Sequence, residues 1–476
     1  MNTPTNGERQ AIWLITAIGV ISRLVPLWQP MRYDESVTWA YFVGRPWSTI
    51  VSSYPFPNNH VLFSLLAKAT SSLAPFQPWA LRLPAFIAGV VIVPLVWAVG
   101  RRVASPAVGL LGAALAAGST TLILYSTNAR GYSMVVALFL MLLLVADRLR
   151  ESGRLVQWGT FALLGALGLY TIPIMLYPLG VVCTWLLLAA ARTGSAERHR
   201  LVVGVVLGSV AAGVIALLLY LPIVQSAGLG ALVGNRFVTP SPWIAFAADL
   251  PRHAAKILVT WTSPLPWWMA PMMLLAALAG LFPGEQRDRP SLALATTLWC
   301  VLLLAATHRV PFVRVWLFLL PLFHLAVAHG VVRLLSRTRI ADAIRSPRSA
   351  IVLAAGVATL ALLSDTVRSS DDTGAFRSAS VVAASLAPAL RPGDRVLAPI
   401  PTNGPLLYYF GARGLDTALF NTPPAETRRA FLVLDPARGR TLAWAVSVGM
   451  IDPAMFREPA LVLRRDDVEL WQTERR

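Results

Sequence analysis

Long, almost uncharged apolar runs dominate this sequence and leave few folds open to it. Eleven of them lie near 11–28, 81–99, 107–125, 131–149, 156–171, 172–191, 201–223, 264–282, 291–307, 312–332 and 349–365. A bilayer's hydrocarbon core needs roughly 20 apolar residues per helix. Charged residues make up 13% of the chain and hydrophobic residues 56%, whereas soluble domains carry about 25% charged residues. The sequence therefore predicts an α-helical polytopic membrane protein with about eleven spans and excludes a soluble enzyme.

The arginines between the runs indicate the orientation, because short cytoplasmic loops carry an excess of Lys and Arg. Such residues gather in alternate short loops, among them Arg101, Arg102, Arg148, Arg150, Arg287 and Arg289. With those loops inside, the N-terminus is cytoplasmic and the C-terminus extracytoplasmic. Loops 29–80 and 224–263 then lie outside. We expect the first loop to carry the active site and the second loop to cover it. The sequence thus predicts a multi-pass protein of the cytoplasmic (inner) membrane.

The formal charge of +18 does not indicate a nucleic-acid binder. Basic residues of such proteins cluster on one exposed face, whereas here they lie between apolar runs. Cys183 and Cys300 both lie inside apolar runs, so we predict neither a disulfide nor a cysteine metal site.

The last part of the chain changes character, which divides it into a membrane region, 1–365, and a small extracytoplasmic α/β domain, 366–476. No apolar run in the second part is long enough to span. Short strand-like and helical runs alternate there instead, as in α/β domains. The predicted strands are 395–399, 431–434, 461–464 and 468–471, and the predicted helices are 404–410 and 442–448.

Two adjacent carboxylates, Asp34 and Glu35, follow the first apolar run directly. They are candidates for acid–base chemistry close to the membrane surface. The alternative is a helix start, because acidic residues in a first turn interact favourably with the helix dipole. The residues 36–41 are suited to that helix.

A second polar cluster in the same loop consists of Asn58, Asn59 and His60. It precedes a run in which Leu62, Leu66, Ala69 and Leu73 recur at helical spacing, which predicts a helix lying in the membrane interface. The three polar residues are candidates for contacting an acceptor or organising the loop. Helix capping by asparagine is an equally good explanation.

These segments together resemble the GT-C membrane glycosyltransferases, in particular the protein O-mannosyltransferase and lipid A aminoarabinose transferase group. The similarity rests on the Asp-Glu pair after the first span, Arg130-Gly131-Tyr132 at the outer end of a later span, and Arg314 followed by Pro321. The chain departs from the group at Asn58-Asn59-His60-Val61, where relatives more often have His-Pro-Pro-Leu or Lys-Pro-Pro-Leu.

The resemblance implies transfer of a sugar from a polyprenyl-phosphate donor to a glycan, lipid or protein acceptor outside the membrane. A carboxylate is needed to take the acceptor's proton, and we assign Asp34, with Glu35 orienting the acceptor or Asp34 itself. Arginine matches phosphate oxygens, so Arg130 is the first candidate for donor phosphate and Arg314 the second. Tyr132 is a further candidate for the donor phosphate, and Arg309 and His308 are lower-ranked candidates for it.

Several alternatives stay open from the sequence. Arg130 and Arg314 can also reach lipid headgroups in the manner of ordinary interfacial arginines. His60 beside Asp34 has the ligand chemistry for a divalent cation, but no cofactor is assigned. Arg23, inside the first span, pairs with an acidic residue or reaches the donor site. Alternative functions are a transporter, an O-antigen ligase or polymerase for lipid-linked glycans, and a non-catalytic scaffold.

Overall fold

The computed structural model describes residues 3–234, 237–281, 290–369 and 374–476. Residues 235–236 of the loop 224–263, and Arg287 and Arg289, lie outside the described residues. The chain forms two compact units. The first unit comprises Met1–Leu27, Trp47–Ala67 and Arg82–Arg368, and the second comprises Trp28–Pro46, Lys68–Leu81 and Ser369–Arg476.

The described chain is mostly helical. In chain order the first helices are α1 (Asn6–Leu27), α2 (Tyr33–Thr38), α3 (Trp47–Ser52), α4 (Val61–Ser71), α5 (Pro78–Val103), α6 (Pro106–Gly118), α7 (Thr120–Ser126), α8 (Tyr132–Glu151), α9 (Leu155–Thr171), α10 (Leu176–Ala190) and α11 (Ser195–Ala227). The next are α12 (Gly230–Val233), α13 (Trp243–Thr262), α14 (Met269–Leu281), α15 (Leu292–Thr307), α16 (Leu320–Leu334), α17 (Ala341–Arg345), α18 (Pro347–Leu363), α19 (Asp365–Ser369), α20 (Ala379–Leu386), α21 (Asn403–Ala412) and α22 (Leu442–Ser447). A π-helical turn, Trp39–Val43, continues α2, and a 3₁₀ turn, Val313–Leu319, leads into α16.

Each apolar run of the sequence coincides with helical structure, which confirms a polytopic helical membrane protein. Among the described residues, six helical segments are long and apolar enough to cross a bilayer, and the bent pair α6–α7 makes a seventh. The other predicted spans correspond to the shorter apolar helices α9, α14, α15 and α18.

The bend between α6 and α7 has a visible cause. The two helices meet at 62° where Ser119, Thr120 and Thr121 interrupt the otherwise apolar run 107–125. Arg23 of α1 is fully buried and donates to the carbonyl oxygens of Ala116 and Ala117 at 3.2 and 2.9 Å. It also donates to Ser126 Oγ at 3.2 Å. The last carbonyls of a helix lack partners within it, so Arg23 caps α6 and holds the end of α7.

The helices of the first unit approach closely where their residues are small. Gly280 of α14 faces Ala326, and Gly330 of α16 faces Ala276, so near that a methyl group at either glycine would collide with the opposite backbone. Small residues four apart on facing helices are typical of packing in membranes, because dispersion contacts replace the hydrophobic effect there.

The second unit contains a four-stranded sheet in the order β1-β2-β4-β3. Its strands are β1 (Asp394–Leu397), β2 (Arg429–Leu434), β3 (Ala460–Arg465) and β4 (Val468–Glu474). β1 and β2 are parallel, and the other neighbours are antiparallel. The four predicted strands and two predicted helices are all present, which confirms the small α/β domain. Helix α20 and the parallel pairing were not predicted.

Residues of the loop 29–80 pack within this same unit. The ring of Tyr33 lies against Gly404 at the start of α21, where a Cβ would come within 2.9 Å of it. The rings of Trp39 and Tyr408 meet edge to face with centroids 5.1 Å apart. The sequence division at 365/366 placed this loop with the membrane helices, whereas its segments 28–46 and 68–81 form one compact unit with the C-terminal residues.

Candidate functional site

Asp34 and Glu35 lie in the first turn of α2, in the second unit, and their surroundings differ. Glu35 is fully buried, with Oε1 3.7 Å from Arg32 Nη1, and its Oε2 accepts from the Arg32 backbone N–H at 3.4 Å. Asp34 is only half-buried. The neighbouring carboxylates are therefore suited to separate roles, with Asp34 the one that a substrate can reach.

The backbone and side chains next to Asp34 are held by hydrogen bonds to neighbouring segments. Arg32 is fully buried and donates from Nη2 to Gln29 Oε1 at 3.1 Å. The Tyr33 N–H donates to Gly374 O at 3.1 Å, and Arg32 forms an isolated β-bridge with Ala375. A buried ion pair contributes little net stability, but it can fix the local geometry. Arg32 is a site residue that the sequence reasoning missed. Its position just before the two acidic residues could have indicated that it pairs with one of them.

Arg130 lies in the first unit, on the turn between α7 and α8. The turn is buried, and Arg130 itself is 2% exposed. Its Nη2 lies 3.2 Å from Nε2 of His60, and the neighbouring Gly131 N–H donates to Nδ1 of His60 at 2.9 Å. The structure therefore brings together two candidates that are 70 residues apart in sequence.

His60 is held in its neutral form by this arrangement. Both ring nitrogens face N–H donors, and a neutral imidazole can accept with one of them while an imidazolium can accept with neither. Burial, followed by the positive charges of Arg130 and Arg314, keeps the pKa of His60 well below its ordinary value. Proton transfer by His60 is disfavoured, and the histidine is suited instead to orienting the Arg130 turn.

Aromatic rings surround the same cluster. Tyr132 is 7% exposed, and its ring meets those of His60 and Tyr125 edge to face at 5.2 and 5.3 Å between centroids. The Arg130 guanidinium carbon lies 5.6 Å from the centre of the Tyr132 ring. Burial, with a contribution from Tyr132, raises the pKa of Tyr54, which places a second tyrosine in this region. Tyr132 is thus part of a packed polar and aromatic cluster of the first unit.

Asn59 organises the loop before α4. It is fully buried, and its Nδ2 donates to the carbonyl oxygens of Ile50 and Ser53 at 2.8 and 3.0 Å. Its Oδ1 accepts from Ser64 Oγ at 3.0 Å. Asn58 is half-buried, and its carbonyl accepts from the His60 N–H at 3.1 Å. Of the two roles left open for this stretch, the contacts of Asn59 favour loop organisation.

Arg314 belongs to the 3₁₀ turn before α16 and is half-buried, with its guanidinium carbon 4.3 Å from the centre of the Phe312 ring. Its charge acts on His60 together with that of Arg130. His308 ends α15 in the left-handed conformation, and its ring lies 3.8 Å from that of Trp243. Arg309 is half-buried beside it.

The described residues contain no group of three or more His, Cys, Asp and Glu side chains that could hold a metal ion. His60 is poorly suited to coordinate a metal ion, because each of its ring nitrogens already faces an N–H group, Nδ1 that of Gly131 and Nε2 that of Arg130.

One protein family and several solved structures are similar to this chain. Residues 58–224 match the family described as dolichyl-phosphate-mannose-protein mannosyltransferase. This matched segment includes Asn58, Asn59, His60, Arg130 and Tyr132. No curated protein sequence matches the chain.

Solved structures resemble the chain over nearly its whole length. ArnT from Cupriavidus metallidurans in the apo state has a TM-score of 0.60 at 13% identity, covering 98% of both chains. The same protein bound to undecaprenyl phosphate also gives 0.60 at 13% identity, covering 97% of both chains. The Archaeoglobus fulgidus oligosaccharyltransferase with Zn and sulfate gives 0.59 at 10% identity, covering 97% of this chain and 72% of that one. The chain therefore has the GT-C glycosyltransferase fold and resembles the protein O-mannosyltransferase and ArnT group.

Proposed function

We propose that the protein is an inverting glycosyltransferase that moves a sugar from a polyprenyl-phosphate donor to an acceptor on the outer face of the cytoplasmic membrane. The observation that carries the proposal is the buried Arg130 beside a neutral His60, within the segment that matches the mannosyltransferase family. Buried ionisable side chains are costly in a membrane protein and tend to mark functional positions. The likeness to an ArnT structure bound to undecaprenyl phosphate supports the class of donor.

In the proposed reaction the acceptor hydroxyl attacks the anomeric carbon while the bond to the phosphate oxygen breaks. Asp34 takes the hydroxyl proton, and the leaving group departs as polyprenyl phosphate. Arg130, supported by Arg314, holds the phosphate and stabilises the charge that builds on it. One displacement inverts the anomeric centre, so a single base is enough, unlike the carboxylate pair of glycosidases.

The remaining candidates support these groups. Glu35, buried against Arg32, positions the segment that carries Asp34. His60 orients the Arg130 turn through the Gly131 N–H, and Tyr132 packs against both. Asn59 holds the loop from which His60 projects, and Asn58 lies at its edge.

The base assignment is tested with Asp34→Asn in proteoliposomes supplied with a polyprenyl-phosphate sugar and an acceptor extract. Loss of a general base lowers kcat by about 10²- to 10⁴-fold. The matched control is Asp466→Asn, which changes an exposed carboxylate of the same unit. An Asp34 variant that keeps more than a tenth of the wild-type kcat contradicts the assignment.

The phosphate assignment is tested with Arg130→Gln against Arg148→Gln, which removes an exposed arginine at the other end of α8. Loss of a charge-assisted hydrogen bond should raise the donor KM by about 10- to 100-fold, while Arg148→Gln leaves it unchanged. An effect on the acceptor KM alone would contradict the role. Product formed by purified protein also separates a transferase from a transporter.

The proposed topology is tested with a tag placed after Arg476. It should be accessible to a membrane-impermeant protease in intact spheroplasts, because the C-terminus is expected outside. A tag that is cleaved only after the membrane is broken contradicts this topology.

A further inference from the structure

Helix α13 (Trp243–Thr262) carries three different stripes along its length. With 3.6 residues per turn, one stripe faces the protein and consists of Phe246, Leu250, His253, Ile257 and Trp261. Phe246 on this stripe is 4% exposed. Nε1 of Trp316 donates to Nε2 of His253 at 2.9 Å, and Thr121 Oγ1 donates to the carbonyl of Thr260 at 2.9 Å. The stripe therefore fastens α13 to α7 and to the 3₁₀ turn before α16.

The second stripe is apolar and exposed. It consists of Ile244, Ala247, Ala248, Pro251, Ala255 and Val259. Ile244 is 87% exposed and Val259 is 65% exposed. A continuous apolar stripe of this length is unfavourable in water and marks a surface that another apolar phase covers.

The third stripe is charged and borders the apolar one. It carries the cations Arg252 and Lys256 with Asp249, whose carboxylate lies 4.0 Å from the Arg252 guanidinium. The side chain of Arg252 is 86% exposed. A helix with cations beside an apolar face has the pattern of helices that lie in a membrane interface.

The contacts of α13 indicate what covers it. Thr121 lies in α7, the short segment after the bend of the pair α6–α7, and Trp316 lies near the start of the span Val313–Leu334. A helix that is tied near the end of one span and to the short segment after the bend of another is placed where the acyl chains meet the headgroups. Trp267 and Trp268, which follow α13 and are 85% and 49% exposed, have the side chains that are enriched at that level.

We infer that α13 lies in the plane of the outer leaflet, with its apolar stripe among the acyl chains and with Arg252 and Lys256 on anionic lipid headgroups. The helix thereby anchors the 3₁₀ turn that carries Arg314 at the depth of the lipid phosphates. This inference does not depend on the proposed reaction, and its test needs no sugar donor.

The depth of the apolar stripe is measured with single cysteines carrying an NBD fluorophore in the full chain, with Cys183 and Cys300 replaced by alanine. Ala248→Cys and Ala255→Cys report on the apolar stripe, and Asp249→Cys on the charged one. All three positions are exposed, so labelling should leave the fold intact, and a thermal unfolding scan checks this. In nanodiscs containing lipids brominated on the acyl chains, the first two should lose about half of their fluorescence, because interfacial helices bury about 5–10 Å. The label at 249 should lose much less.

The headgroup contact is measured by native mass spectrometry of the full chain from nanodiscs of phosphatidylglycerol and phosphatidylcholine. The double variant Arg252→Gln and Lys256→Gln should weaken retention of phosphatidylglycerol by about five-fold for each cation removed. Retention of phosphatidylcholine should not change. The control is Arg154→Gln, which alters an arginine far along the chain from α13.

Equal quenching at the three positions would overturn the orientation of the helix. Absence of quenching at 248 and 255, with protection from aqueous iodide that grows with protein density in the nanodisc, would show that a second copy covers the stripe. Unchanged phosphatidylglycerol retention in the double variant would overturn the headgroup contact.

Discussion

Replacing Arg23 by lysine should damage the protein more than replacing it by methionine. The guanidinium is fully buried and donates to five acceptors. These are the carbonyls of Gly19, Ala116 and Ala117, at 2.8, 3.2 and 2.9 Å, and the hydroxyl oxygens of Ser22 and Ser126, at 3.3 and 3.2 Å. A lysine keeps the buried charge, and with it the desolvation cost, but its single ammonium reaches only one or two of these acceptors. A methionine removes the charge together with the hydrogen bonds.

The magnitude follows from the contacts that are lost. Two or three hydrogen bonds at about 1–2 kcal/mol each make the lysine variant less stable by about 2–5 kcal/mol. The methionine variant should lose less stability than the lysine variant, because charged groups are expensive within a bilayer. In addition, Ser22 Oγ still donates to Ala117 O at 3.1 Å. For a chain of this size the lysine variant should unfold roughly 2–8 °C below wild type.

The assay is thermal unfolding of the purified protein in detergent, followed with a thiol-reactive dye. The matched control is Arg9→Lys, which changes an exposed arginine of the same helix and should leave Tm unchanged. The expected order of Tm is wild type, then Arg23→Met, then Arg23→Lys. A Tm of the lysine variant equal to that of wild type, or higher than that of the methionine variant, would show that the several N–H donors of Arg23 do not cap α6.

Two further predictions concern the buried polar groups of the site. Since the pKa of His60 is lowered in the folded chain, the unfolded chain takes up a proton near pH 6.5 that the folded chain does not. Stability should therefore fall below pH 6.5, by up to about 1.4 kcal/mol per pH unit. Tm measured from pH 7 to pH 5 should fall less in His60→Asn than in wild type or in the exposed control His199→Asn, and equal slopes would contradict the buried neutral histidine. Glu35→Gln should lower stability by about 3–5 kcal/mol, because Arg32 then keeps an uncompensated buried charge; a variant as stable in thermal unfolding as the exposed control Glu426→Gln would show that the ion pair is not needed.

The membrane helices were predictable because lipid leaves the backbone no alternative partner. Apolar runs of sufficient length therefore become helices whatever their neighbours are. The bend at Ser119 was not predicted, although Ser119 and Thr120 interrupt the apolar run there and Ser119 caps α7 by accepting from the Leu122 N–H at 3.5 Å. What no local pattern contains is the contact with Arg23, about a hundred residues earlier in the chain, which holds both helix ends.

The C-terminal strands were predictable from their alternation and from the turn residues between them. Their order was not, because the pairing of β1 with β2 depends on where helix α21 packs. The short edge strands β1 and β3 carry no signal of their neighbours. Helix α20 escaped prediction because its alanines, serines and valines give no clear periodic pattern of apolar and polar residues.

The candidate site was predictable residue by residue but not as an arrangement. Chemistry singled out Asp34, Arg130 and His60 by the type of their side chains and by their positions next to the apolar runs. The contact between His60 and Arg130, and the burial of Glu35 against Arg32, depend on tertiary packing. They favour a neutral, orienting role for His60 over the divalent-cation site that its ligand chemistry had left open.

The three largest fully buried side chains of the described residues are Arg23, Arg32 and Arg82, and their partners explain why an apolar chain tolerates them. Arg82 Nη1 donates to the carbonyl of Leu27 at 2.8 Å, at the last residue of α1. Arg23 does the same for the end of α6, and Arg32 holds the carboxylate of Glu35 at the start of α2. Carbonyl groups at the C-terminal ends of helices carry partial negative charge, so the guanidinium groups of Arg23 and Arg82 are partly neutralised there, and that of Arg32 is partly neutralised by the Glu35 carboxylate. The helix ends held in this way are the ones that lead into the acidic segment and towards the Arg130 turn. The buried positive charge of the chain therefore serves mainly to fix the backbone from which the candidate catalytic and phosphate-binding side chains project.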